Sequence, residues 1–316
     1  MKTQDAFEAP AAIVRLKKDL KAAALNLADR EARFLVDQYY MIQEARKRGA
    51  NQERALGKTE EPNLVLNWVR GTMETMEAEI KKALTYYLTV EQSGMGRWAC
   101  DVVGVGPILS AGLLAHIDIT KVQTVGGIWR FAGLDPTAKW AKGSKRPWNA
   151  ALKVICWKIG QSFEKVSNNP DSQYGELYKK RKAYEWERNL SGELAEQAKQ
   201  GAARVGAATK SHIWYAGKVS PSYVRGVLNE LEQQDDDDEG GAPELGAIKP
   251  TQVGDEQPML NPGHIRSRAL RWTVKLFLSH WFEEAYRRQY KKEPPEIYSI
   301  AMLKHAHKIE PRSQSR

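Results

Sequence analysis

The spacing of apolar residues between Val65 and Tyr87 constrains this chain most. Val65, Val69, Met73, Met76, Ile80, Ala83 and Tyr87 step by four, four, three, four, three and four. That heptad-like stripe predicts a long helix over 63–92 that meets another helix along its length. Upstream, Ile13, Leu16, Leu20, Leu27, Phe34 and Met41 recur on a helical repeat, predicting one helix over 11–48 with Gly49 as its stop. Residues 50–62, with the turn-rich "GKTEEPN", form the connector. Two such helices make an antiparallel hairpin or a coiled-coil arm that dimerises; a plain packing face is the simpler alternative.

A chain of 316 residues has room for roughly two domains. With 42% hydrophobic residues it can build a core, and no apolar run approaches the ~20 residues of a membrane helix. The start, "MKTQDAFEAPAAIVRLKKDL", has no apolar leader core before its first charges, so the expectation is a cytoplasmic protein without membrane partners. Cys100 and Cys156 form neither a disulfide framework nor a zinc spacing, and are expected as buried thiols. The net charge of +9, despite the acidic run Asp235–Glu239, points to an acidic partner, most often nucleic acid.

The expected fold is mainly α, since no convincing run of alternating strand residues occurs. It reads as a long-helix or coiled-coil arm over 1–93 and a Gly-, Trp- and Lys-dense domain over 94–165. A helical extension follows over 166–232, then an acidic Gly/Pro linker over 233–262, then a basic helix and tail over 263–316. Within the extension, 172–206 reads as a polar helix too rich in Lys, Arg and Glu to bury much. The last helix presents Leu270, Val274, Phe277, Leu278, Trp281 and Phe282 as its apolar face.

The segment "DVVGVGPILSAGLLAHI", Asp101–Ile117, carries the sharpest local signal. Gly104-Val105-Gly106 permits a tight turn, and Pro107 suits a first helical turn because its missing N–H is not needed there. The amides at the start of the following helix would form an anion site. No Gly-Lys-Ser/Thr follows, which excludes a P-loop; Leu109 stands where a dinucleotide fingerprint needs its third glycine. A helix–hairpin–helix that holds a nucleic-acid phosphate remains, beside a corner that binds nothing. Ala111 and Gly112 are small enough to admit a second helix closely.

In order, "TMETMEAEIKKAL", "VVGVGPILSAGLLAHI", "VGGIWRFAGLDP" and "GSKRPWNAALKVICWKIG" resemble the C-terminal domain of the DEDD-type insertion-sequence transposases, the bridge-RNA-guided recombinase family. The likeness covers roughly residues 70–165. It implies that Gly104, Val105 and Gly106 contact backbone phosphate. Trp129, Phe131 and Leu134 would be core, and Ser144, Lys145, Arg146 and Asn149 match the family's "SKRGN". Two departures stand out. The family's acidic tetrad lies in an α/β domain ahead of the coil, and the sixty residues before the coil here read as one helix. The family's Ser-Gly is replaced by "AKG", Ala141–Gly143. Both imply that the recombinase chemistry is absent. A chain that still recombines through Ser144, with a partner supplying acidic residues, is an alternative; so is a helical structural assembly protein.

Around that segment, Lys139, Lys142, Lys145, Arg146, Lys153 and Lys158 are interleaved with Trp140, Trp148 and Trp157, a mixture suited to phosphates and stacked bases. Arg268, Arg271 and Lys275 share a side of the last helix and form a second phosphate-binding stripe. That helix is similar to the final helix of phage-borne and chromosomal transposase relatives. No cofactor is expected. His264 with His280, and His305 with His307, lack metal spacing, so no metal site is expected either. The expected partner is DNA, or structured RNA, with a second copy of the chain held through the N-terminal helices. The expected setting is bacterial or phage-encoded, nucleoid-associated and linked to a mobile element.

Overall fold

A carboxylate opens the first long helix. Glu31, three positions into the helix α1 (Asp29–Leu56), reaches back to accept a hydrogen bond from the Ala28 amide at 2.8 Å, half of a capping box. The computed structural model describes residues 19–56, 64–90, 93–207, 209–234, 257–295 and 309–311, and every regular element among them is helical. After α1 come α2 (Leu64–Val90), α3 (Met95–Cys100), α4 (Pro107–His116), a 3-10 turn (Ile119–Lys121), α5 (Val125–Phe131) and α6 (Ala150–Lys165). Then follow α7 (Gln173–Leu190), α8 (Ala195–Ala202), α9 (His212–Tyr215), α10 (Pro221–Gln234) and α11 (Pro262–Tyr290). The all-helical expectation is met.

The chain divides into two compact units. One holds the described residues up to Val166, with Asp171–Gln173 and those from Lys275 onward; the other holds Ser167–Pro170 and those of Tyr174–Val274. In the first unit α1 and α2 pack as an antiparallel pair. Arg46 holds buried Glu77 through two hydrogen bonds, Arg70 meets Glu53 at 3.1 Å, and the Tyr87 hydroxyl donates to Asp29 at 2.8 Å. The single helix expected over 11–48 is corrected in two places. Residues 19–24 are helical, but a turn at Leu25–Asn26 separates them from α1; residues 1–18 lie outside the described part. Gly49 does not stop α1, which runs on to Leu56. An exposed glycine costs a helix only about 1 kcal/mol, and the ion pairs on either side of Gly49 hold both flanks.

The core of the first unit forms where α4 and α6 meet the second half of α11. Ile155 of α6 sits over Gly112 so closely that a Cβ there would stand 2.7 Å from its terminal methyl, as the small pair Ala111-Gly112 anticipates. Phe163 meets Phe277 edge-on at 5.5 Å, and Trp98 stacks on Phe277 at 6.1 Å. Phe277, Leu278, Trp281 and Phe282 are all buried, so the apolar face read for the last helix is the face in use.

In the second unit, the helix expected to be too polar to bury much is corrected. It breaks after Leu190, and α7 buries Tyr174, Tyr178, Trp186 and Leu190. Its charges do not prevent this because they pair with one another. Glu185 is buried, accepts from Arg268 Nε at 2.7 Å and from Arg181 Nη2, and lies 3.6 Å from Arg188. Burial works against its charged form, but the hydrogen bonds and charges of Arg268 and Arg181 prevail and hold its carboxyl below the usual range. The end of the expected linker is likewise not loose. Met259 and Leu260 are buried, and the Asn189 side chain both donates to and accepts from the Leu260 backbone, at 2.9 and 2.8 Å. Residues 235–256 of that linker lie outside the described part.

Candidate nucleic-acid interface

The helix–hairpin–helix is built as its sequence reads. α3 ends at Cys100, the chain turns through Gly104, and α4 starts at Pro107. Gly104 has φ 96°, a conformation open to glycine, and a Cβ there would lie 3.1–3.3 Å from Val166 and Phe163. Its carbonyl accepts the Ser162 hydroxyl at 2.6 Å, which fastens the hairpin to the end of α6. The three residues expected to face a phosphate separate. Val105 is buried and its amide is taken by the Val102 carbonyl at 2.8 Å. Gly106 is exposed, in extended backbone, with open space where a Cβ would stand. The first bond of α4 runs from the Ser110 amide to the Gly106 carbonyl. The amides ahead of it, those of Ile108 and Leu109, have no side-chain cap, and both residues are buried.

The second part of the site is a loop. α5 is capped at its start by Thr124, whose hydroxyl accepts the Gly127 amide at 3.2 Å. It ends in a Schellman turn at Gly133, φ 67°: the Gly133 amide bonds the Arg130 carbonyl and the Leu134 amide bonds the Trp129 carbonyl. This is the physical content of "FAGLDP". The chain then leaves helix until Ala150, yet its two ends touch. The Asn149 amide bonds the Phe131 carbonyl at 2.8 Å, and the Trp148 ring packs so tightly on Gly133 that a Cβ there would stand 2.9 Å from it. The result is an Ω-like loop with tied ends.

Lys139, Lys142, Ser144, Lys145 and Arg146 are exposed along this loop. Trp140 is exposed too, but not loose. Its Nε1 donates to the Ser144 carbonyl at 2.8 Å, and the Arg146 guanidinium lies over its ring at 5.3 Å. The Ser144 hydroxyl donates to the Ala141 carbonyl at 2.7 Å, so it serves the turn. Asp135 caps the start of the loop by accepting from the Thr137 amide and hydroxyl, which lower its pKa. Four cations against one carboxylate remain on one exposed segment.

Asn149 works inside the fold. Its Oδ1 caps α6 by accepting the Leu152 amide at 3.0 Å, and its Nδ2 donates to His116 Nδ1 at 3.2 Å. Burial, reinforced by the charge of Arg33, pushes His116 down to about 4, so its ring is neutral at physiological pH and Nδ1 accepts. Of the residues expected as hairpin core, Leu134 is buried and Trp129 half-buried, but Phe131 is exposed. Trp129 donates to the Lys275 carbonyl at 3.0 Å, and the Lys275 ammonium lies 4.0 Å over the same ring. Lys153 covers Trp148 and Lys158 covers Tyr40 in the same way.

The stripe Arg268, Arg271, Lys275 is not one free surface. Arg268 is held by Glu185 and Gln197, Lys275 by Trp129, and Arg271 alone of the three is exposed. Those partners lie roughly 70 to 150 positions away in the chain, beyond the reach of any local pattern. The hairpin and the loop stand apart as well. Ser162 anchors one at the start of α4 and Asn149 joins His116 at its end, so the length of α4, about 15 Å, separates them. Cys156 is buried and its thiol is pushed up to about 12 by burial; Cys100 is half-buried and donates to the Ser110 hydroxyl at 3.3 Å.

Among the described residues no group of three or more His, Cys, Asp or Glu side chains is placed to hold a metal ion, and no helix is long and apolar enough to cross a membrane. Comparison of the chain with protein-family models, with curated proteins and with solved structures finds no match.

Proposed function

We propose that this chain is a cytoplasmic nucleic-acid-binding protein that grips phosphate backbone through the loop Asp135–Trp148 and the start of α4. The reading includes kinship with the C-terminal domain of insertion-sequence transposases, without recombinase chemistry of its own, and a second copy held through the N-terminal helices. The observation that carries it is the loop itself. Lys139, Lys142, Lys145 and Arg146 are exposed on a segment whose ends are tied and whose Trp140 is fixed by Ser144 and Arg146. Cations held on a fixed frame suit a polyanion, and an exposed ring among them offers a face for a base. Backbone contacts of this kind position a nucleic acid without reading its sequence.

The test is a binding titration of duplex DNA, a DNA junction, single-stranded DNA and RNA at several salt concentrations. Replacing Lys139, Lys142, Lys145 and Arg146 together by alanine should weaken binding and flatten the slope of log K against log salt by about four, one per lost phosphate contact. An unchanged slope, or no binding of any of the four by the parent chain, overturns the reading.

A further inference from the structure

Two aromatic rings are exposed on the segment that carries the cations. Phe131 closes α5 and is 40% exposed; Trp140 lies in the loop at 42%. Rings of the same size are buried elsewhere in this unit, among them Trp98, Phe163, Phe277 and Trp281. The two exposed rings belong to one frame, because the Asn149 amide that ties the loop bonds the Phe131 carbonyl at 2.8 Å.

A ligand does not have to order the Trp140 ring. Its Nε1 is spent on the Ser144 carbonyl, and the Arg146 guanidinium lies over the ring. What the ring still exposes is apolar and offers stacking, without a further hydrogen bond. A ring held in place beforehand loses little freedom when it binds. From residue 130 to residue 146 the exposed cations are Arg130, Lys139, Lys142, Lys145 and Arg146, against the single carboxylate of Asp135.

Rings and cations ask different things of a ligand. Any polyanion meets the cations. The rings are met by flat apolar faces, and in a nucleic acid those are the faces of the bases. In a duplex each base face is covered by its neighbour, and only the base edges line the grooves. Unpaired nucleotides present phosphate and base face together, and surfaces that interleave cations with aromatics bind them. We propose that this segment takes unpaired nucleotides in preference to duplex, with bases stacked on Trp140 and Phe131 and phosphates on the flanking cations.

The inference rests on the phosphate grip proposed above and names its substrate class. The full chain should bind an oligothymidine of about 15 nucleotides about tenfold more tightly than a blunt DNA duplex of the same length at the same salt. Oligouridine in the same titration tells RNA from DNA, and a preference for either single strand over duplex supports the inference. Phe131→Ala and Trp140→Ala should each weaken single-strand binding by about fivefold to a hundredfold and leave duplex binding unchanged. Stacking carries no charge, so the slope of log K against log salt should stay as it is in both, unlike that of the four-cation variant. Trp140→Phe keeps a ring and loses the bond to Ser144; it should retain most of the affinity, which separates stacking from the frame of the loop. Duplex bound as tightly as both single strands overturns the inference. So does a Phe131→Ala or Trp140→Ala variant that leaves single-strand affinity unchanged or weakens duplex equally. In those cases a duplex salt slope that still flattens when the cations are removed keeps the grip and rejects only the stacking.

Discussion

Gly104 and Gly106 are two residues apart and do different work. Gly104 stands at φ 96° against Phe163 and Val166, whereas Gly106 is extended with open space around it. Gly104→Ala combines left-handed strain with crowding and should destabilise the chain by about 1–3 kcal/mol. Gly106→Ala should stay within about 0.5 kcal/mol. Thermal unfolding of the two single variants separates them: equal losses would show that the hairpin does not depend on the Gly104 turn. The sequence shows that a turn is needed here, because two glycines and a proline can follow a helix in few other ways. It does not show which glycine bears the strain, since that depends on Ser162, Phe163 and Val166, some sixty positions later.

At the level of helices, ends were less legible than faces. The stripe on α11 reads correctly because six large apolar residues at helical spacing leave few other burials. Gly49 misleads because helix propensity is weak beside an ion pair on each side. Phe131 misleads because it is the last residue of its helix, and its ring is left outside beside the Schellman turn. The charge of α7 misleads most. Its arginines Arg181 and Arg188 converge on one carboxylate of the same helix, Glu185, which Arg268 of α11 also meets, and spacing alone does not show that Glu185 points inward. Caps offer the cleanest test of an element. Asn149→Ala removes the acceptor for Leu152 and the partner of His116 together. A loss of about 1 kcal/mol is expected for the cap alone, and somewhat more here because the His116 ring also loses its donor. A variant as stable as the parent in chemical denaturation would show that α6 starts without it.

For the molecule as a whole, pH should act through Glu185. Its folded carboxyl sits below its usual range, so the unfolded chain binds a proton more readily. The stability it contributes is therefore present above the ordinary glutamate range and is lost as pH falls from there through the lower, folded value. Glu185→Ala leaves Arg181 and Arg268 facing one another without their carboxylate and should cost about 3–5 kcal/mol at pH 7. Glu185→Gln should unfold at a temperature less dependent on pH between neutrality and pH 3 than the parent does. Parallel pH curves for the two would place the acid sensitivity elsewhere.

The tied ends of the Asp135–Trp148 loop have a last consequence, for change over generations rather than for energy. Since the Asn149–Phe131 bond and the Trp148–Gly133 contact close the frame, what lies between them owes little to the core, and under the proposed function it would answer to the nucleic acid instead. Such a segment can exchange lysine for tyrosine, or lengthen, and alter what the protein recognises while the helices around it stay as they are. The scaffold can be inherited unchanged while recognition is rewritten.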